Sequence, residues 1–304
     1  MPEPLDLRLY LHQPMLGNAR RGGVNFLQRL TRLLEGQGWR VQILPSGEAA
    51  REAAPDQPGY ALFHMEKPTH DRALTFRRAY HYPFWRIEQV AERWRWPVAE
   101  ARFDPETIDP DAARAFHARL AARVLPGSPP RRGDHVLIPL QGRIAEARSF
   151  QTMSPLDMVA RVAETGRPSI ATLHPKETYT SEDRAALDAL ARRHPNLTIG
   201  GDTASLLRDC AFVVTQNSAV AFDGYILSKP AVLFGQVDFH HIGLNVADLG
   251  TGSALAAAAD HRPDVARYLF WFLRVNAINM SAPDADQQIA AALRRGGWPV
   301  HMPA

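Results

Sequence analysis

Ala211-Phe212-Val213-Val214-Thr215-Gln216-Asn217-Ser218-Ala219-Val220-Ala221-Phe222, followed by Lys229-Pro230-Ala231-Val232-Leu233-Phe234-Gly235, is the stretch that decides the fold. It reads as a buried strand, a polar turn, a short helix and a second buried strand. The turn, Thr215 to Ser218, lies just before a helix N-terminus. Unpaired backbone N–H groups and the helix dipole favour an anion there. Asn217 or Ser218 can serve as the N-cap. A phosphate suits the place, although a plain helix cap would use the same residues.

Working outward, the same alternation recurs. His135–Leu140 reads as a strand ending in Gln141, and Pro155–Thr165 as a helix. Ser169–Leu173 is a strand ending in His174-Pro175-Lys176, and Ser181–Arg193 a helix. Leu197–Ile199 and Thr203–Asp209 supply one more strand and helix. Strands alternating with helices predict a parallel sheet covered on both faces. Ligands of such sheets bind at the carboxyl ends of the strands. Gln141, His174 and Thr215–Ser218 all follow strands directly, so three segments aim polar groups at one sheet edge.

The N-terminal half opens in the same way. Leu7–Leu11 alternates as a strand, and a polar Gly-containing loop, Gly17–Gly23, follows. Asn25–Glu35 has helical apolar spacing, while Trp39–Leu44 and Tyr60–Met65 read as further strands. From His64 to Glu100 aromatic, basic and acidic residues are dense, with no clear period. Asp109–Leu125 is helical by pattern. Pro126–Asp134 has the composition of a linker. The expected division is therefore an N-terminal Rossmann-like domain, 1–130, a second such domain, 131–260, and C-terminal helices, 261–304, packing back toward the first. Those helices are read at Asp264–Asn279 and Asp284–Arg295.

With 304 residues, 45% hydrophobic and 22% charged, the chain can bury a sizeable core. Its charge is +3, its pI about 9.2 and its mean hydropathy -0.26. Arg supplies most of the positive charge and suits bidentate binding of phosphates and carboxylates; a high-GC genome would also enrich Arg. No basic run interleaved with aromatics points to nucleic acid. The single cysteine, Cys210, fits a core position and a reducing cytoplasm. No signal peptide or membrane span is read, while the basic balance permits docking on the inner membrane. His240-His241 would point oppositely in a strand, which argues against chelation by both. No Walker loop, Gly-x-Ser-x-Gly or Rossmann glycine fingerprint is present.

Several pieces together resemble the bacterial capsule polysaccharide biosynthesis family, which includes the β-Kdo glycosyltransferases of capsule export. They are Ile138-Pro139-Leu140-Gln141, His174-Pro175-Lys176, Leu206–Cys210, Thr215–Phe222 and Ser228–Val232. The His-Pro and Asn-Ser pieces also look like those of bacterial sialyltransferases. The resemblance covers about Val136 to Asn245. It implies a GT-B fold, two Rossmann-like domains with parallel sheets facing a central cleft. It also implies a glycosyltransferase that needs no metal or cofactor, with a CMP-activated acidic sugar as substrate. By that analogy Gln141, His174, Pro175, Lys176, Gln216, Asn217 and Ser218 hold the nucleotide sugar.

The resemblance further implies a carboxylate soon after the Pro-Leu-Gln strand, acting as nucleophile in retaining Kdo transferases. Here Gly142–Arg148 offers only Glu146, about one residue out of register; Glu66 and Glu88 are the other candidates. The acceptor, a saccharide or lipid-linked saccharide, is expected on the N-terminal half at His64, Arg77, Tyr80, His81 and Trp85, with Tyr82 beside them. That cluster would equally serve as a polar packing surface. The rival expectations are a UDP-sugar transferase or epimerase on the same fold, or a non-catalytic protein of polysaccharide export.

Overall fold

The computed structural model describes residues 4–303, folded as two compact units. One runs to Glu100 and resumes at Phe272; the other is Ala101–Trp271. Each is a Rossmann-like α/β unit around a six-stranded sheet.

The first unit begins with β1 (Asp6–Leu11), β2 (Arg40–Pro45), β3 (Tyr60–His64), β4 (Ala73–Arg78) and β5 (Phe84–Glu88). β1 pairs with β2 and β3, and β3 with β4, all in parallel; β5 adds antiparallel to β4. Apolar spacing in the helix Asn25–Glu35 buries Phe26, Leu27, Leu30 and Leu34 against this sheet. β4 and β5 are the strands that the His64–Glu100 pattern hides. Leu74 and Phe76 enter one core and Ala73 another, so both faces of β4 are covered and period-two alternation is lost. The Gly17–Gly23 loop is also partly helical, over Met15–Arg20.

The second unit carries β6 (Val136–Pro139), β7 (Ser169–Thr172), β8 (Leu197–Ile199), β9 (Phe212–Thr215), β10 (Ala231–Leu233) and β11 (Leu244–Asn245). The order is β11-β10-β9-β6-β7-β8, every pair parallel. Its helices fall at Pro155–Ala163, Ser181–Arg193, Thr203–Asp209 and Ala219–Ile226. Cys210 is buried, and that burial pushes its thiol up to about 12.

The units divide at residues 100 and 271, where the composition pointed to 130 and 260. Helix Pro110–Val124 belongs to the second unit because its apolar side is covered there. Phe116 meets Phe270 edge-on at 5.7 Å, and the His117 ring bonds to the Ile226 carbonyl at 2.8 Å. The long helix read over Asp264–Asn279 is three pieces: a helical turn Val265–Leu269, a π-helical turn Phe270–Val275, and β12 (Ile278–Asn279), antiparallel to β5. The chain has then returned to the first unit. Helix Ala285–Arg295 packs there, with Asp286 accepting from Arg29 at 2.6 Å.

Candidate functional site

In the second unit, β10, β9, β6 and β7 lie side by side in parallel. Their carboxyl ends therefore bring Gln216–Ser218, Gln141 and His174-Pro175-Lys176 to one sheet edge. Tyr179 fixes two of those ends: its hydroxyl accepts from the His174 N–H at 2.9 Å and donates to the Leu140 carbonyl at 3.3 Å. The His174 ring takes the Lys176 N–H on Nδ1 at 3.2 Å. With Nδ1 accepting that bond, Nε2 carries the ring's N–H and is its donor. His174 and Gln141 are half-buried; Pro175 and Lys176 are exposed.

The opening turn is tightly built. Ser218 is the N-cap of helix Ala219–Ile226, its Oγ accepting from the Val220 N–H at 3.3 Å. A hydroxyl that accepts in a cap keeps its own proton to donate. Thr215 Oγ1 accepts from the Ser218 N–H and donates to the Pro139 carbonyl, each at 3.3 Å, joining β9 to β6. Gln216 donates to the Met153 carbonyl at 3.1 Å, and its buried Oε1 has no hydrogen-bond partner. Such an orphaned acceptor is costly and asks for an explanation. Gly235 donates to the Gln216 carbonyl at 3.0 Å; a Cβ there would sit 3.1 Å from that oxygen, so a larger residue would crowd the turn.

Glu146 lies exposed on the loop beyond β6, paired with Arg143 at 2.5 Å. The Arg143 hydrogen bond holds its carboxyl below the usual carboxylate range. An ionised carboxylate can attack or stabilise a cationic centre but cannot donate a proton. A second carboxylate stands nearby. A Cβ on Gly142 would come within 2.5 Å of Glu177 Oε2, so Glu177 occupies the space that a side chain at 142 would fill.

The first unit has its own polar edge. A cavity of about 510 Å3 opens at the carboxyl ends of β1, β3 and β4. His12, Asn18, Asn25, His64, Glu66 and Arg78 supply its polar groups, and Phe26, Tyr82 and Trp85 its aromatic walls. Glu66 is held on both oxygens. Ser46 Oγ donates to Oε2, while His12 Nε2 at 3.1 Å and Arg51 at 3.6 Å share Oε1. Burial, then the charge of Arg77, pushes His64 down to about 4, so it is neutral at pH 7.

The remaining residues expected to meet an acceptor are not all at this cavity. Trp85 is buried and stacked on Phe26 at 4.6 Å, giving the cavity one wall. Tyr80 accepts from Arg93 and leans on Phe272. Arg77 and His81 are half-buried and are not among the residues lining the cavity. Glu88 is buried 3.9 Å from the buried Arg86 and lines a separate cavity of about 520 Å3. Sequence reasoning missed His12, Ser46 and Tyr179, and counted Arg78 only within the dense His64–Glu100 stretch. His12, Ser46 and Arg78 directly follow or end strands, so the strand-end rule used on the second unit would have found His12 and Ser46.

Among the described residues no three His, Cys, Asp or Glu gather as a metal site, and no helix is long and apolar enough to cross a membrane. His240 and His241 sit in a 3-10 turn with rings stacked 4.2 Å apart, not in a strand.

No family model and no curated protein matches the chain. Solved structures do. The KpsC β-Kdo 2,7 transferase of Thermosulfurimonas dismutans is 12% identical, over 96% of this chain and 100% of that one, with a TM-score of 0.53. UDP-GlcNAc 2-epimerases also match over 96% of this chain and 100% of theirs. That of Methanocaldococcus jannaschii is 10% identical with a TM-score of 0.35, and that of Neisseria meningitidis 9% with 0.37. The likeness to the transferase is one of fold: two α/β units with mainly parallel sheets, the GT-B class.

Proposed function

We propose that the protein is a GT-B glycosyltransferase of surface polysaccharide synthesis, which moves an acidic sugar, Kdo or a relative, from a CMP-activated donor. The observation carrying this reading is the meeting of Gln141, His174 and Gln216–Ser218 on one sheet edge of the second unit. A departing CMP gains negative charge on its phosphate. His174 Nε2, the Ser218 hydroxyl and the N-terminus of helix Ala219–Ile226 are donors suited to that charge. Because these donors are fixed before the reaction, they stand in for a metal ion, and no cofactor is required. Lys176, exposed beside His174, adds a mobile cation, and Pro175 stiffens the chain between them. Gln216 Oε1 is the acceptor left for a donor group of the nucleotide. The ionised Glu146 is the carboxylate proposed for the anomeric centre.

The acceptor, a saccharide or lipid-linked saccharide, belongs on the first unit in this reading. The work is cytoplasmic, with the mildly basic surface able to rest against the inner membrane.

A thermal-shift screen with CMP, UDP and GDP tests the donor. The reading expects stabilisation by CMP. Stabilisation by UDP alone would replace it with a UDP-sugar transferase or epimerase. Silence with all three nucleotides would favour a non-catalytic role in polysaccharide export.

A further inference from the structure

We propose that the first unit carries a further ligand site, a cleft at the edge of its sheet that binds the phosphate monoester of a sugar or similar polyol. Arg274 and Arg295 take the phosphate, and Glu88 takes a hydroxyl.

The cleft comes from a short strand. β12 pairs with β5 only at Phe84 and Trp85, so among the described residues Arg86–Glu88 have no strand on their outer edge. The cavity of about 520 Å3 opens there, with room for a monosaccharide and its phosphate. A smaller cavity of about 250 Å3 shares Glu88, Pro97 and Arg295 with it. Glu88 pairs with Thr75 near the start of β4, whereas the cavity at His12 and Glu66 opens at that strand's other end.

Along β5, Trp85 and Ile87 enter the core, so Arg86 and Glu88 share the opposite face. Arg86 is buried and held there. It donates to the carbonyls of Asn276 at 2.6 Å and Phe272 at 3.2 Å, and lies over the Phe272 ring at 4.7 Å. Glu88 stands 3.9 Å away. The pair is matched in charge, and a matched buried pair adds little to stability. A carboxylate lining a cavity accepts from several donors at once, which suits the hydroxyls of a polyol. Val98, Ile278 and Ala291 give the cavity an apolar wall for the C–H face of a ring.

The charge left over is at the rim. Arg274 and Arg295 are exposed, come from separate elements and line the same cavity. Neither side chain makes a hydrogen bond or ion pair among the described residues. Asp284, the other acid of this lining, accepts from Gln288 at 3.1 Å. Two guanidinium groups against one carboxylate favour an anion. A phosphate dianion can engage both arginines, and matches their charge better than a single carboxylate does.

Calorimetry on the full chain with glucose 6-phosphate, inorganic phosphate and glucose tests the site. Glucose 6-phosphate binds more tightly than phosphate, and glucose gives no signal. Arg274→Gln and Arg295→Gln each weaken glucose 6-phosphate about 10-fold or more, the loss of a charged hydrogen bond, with the thermal midpoint unchanged. Glu88→Gln weakens glucose 6-phosphate but not phosphate; should that variant fail to fold, the two arginine variants still decide. His174→Ala leaves glucose 6-phosphate affinity unchanged, which separates this cleft from the second unit's sheet edge. No binding of glucose 6-phosphate to the wild type overturns the proposal, as does full affinity in both arginine variants or a loss in His174→Ala alone. Equal affinity for phosphate and glucose 6-phosphate overturns the polyol.

Discussion

The two sheet edges of this chain follow one topological rule and carry opposite chemistry. The second unit's edge holds the His174 ring, which accepts from the Lys176 N–H, the Ser218 hydroxyl, which accepts from the Val220 N–H, and a helix N-terminus. The first unit's edge holds titratable groups that share one carboxylate, Glu66, beside a cavity with aromatic walls. Preformed neutral dipoles suit a charge that grows on a leaving phosphate. A carboxylate–imidazole pair suits a proton that must move. The same fold thus carries two kinds of chemistry through the residues placed after its strands.

The largest effect that could break this division is chemical. Glu146→Gln should lower transfer about 10³-fold or more while leaving CMP affinity unchanged, as a parallel kinetic and calorimetric series would read. Retained turnover would shift the carboxylate's role to Glu177, the other acid on the same edge.

Next comes Tyr179→Phe, which removes the hydroxyl that holds the ends of β6 and β7. Orphaning the His174 N–H and loosening both ends should cost about 1–3 kcal/mol. Chemical denaturation would register the loss, and weaker CMP binding should accompany it. Unchanged values in both would mean that the two strand ends are positioned without Tyr179.

The pH response tests the first unit. His64 falls to about 4 from the usual 6.5 because burial and neighbouring cations disfavour its charged form. Between those values the unfolded chain binds a proton that the folded chain refuses. Stability therefore falls as pH drops from about 6.5 toward 4. Thermal midpoints across that range should flatten in His64→Gln. An unaltered slope in His64→Gln would remove His64 as its source.

The smallest effect concerns local folding in the second unit. Thr180 and Asp183 form a capping box on helix Ser181–Arg193. Thr180→Ala should cost about 1 kcal/mol, seen as a small loss in denaturant midpoint with CMP affinity intact.

Much of the second unit was legible from residues alone. Its strands are short apolar runs, its helices begin at Ser, Thr and Asp caps, and local rules govern both. Thr180, Asp202 and Ser218 each cap as their residue types favour. The first unit was less legible. β4 and β5 are buried on both faces and interrupted by charge, so neither alternation nor composition marks them. The candidate site followed the same split. Gln141, His174 and Ser218 stand directly after recognisable strands. The pairing of His12 with Glu66 joins residues 54 positions apart, and only the parallel pairing of β1 with β3 brings them together. Dense polarity between His64 and Glu88 signalled something unusual. Much of it is spent inside the unit: Arg86 donates to the carbonyls of Asn276 and Phe272, and Trp85 lies in the core.

Calorimetric titration of CMP into the wild type, His174→Ala and Ser218→Ala tests the central claim most directly. The account predicts binding to the wild type and a loss of about 1–3 kcal/mol in each variant, with the fold retained. Equal CMP affinity in all three proteins would contradict a donor phosphate site on the second unit's sheet edge.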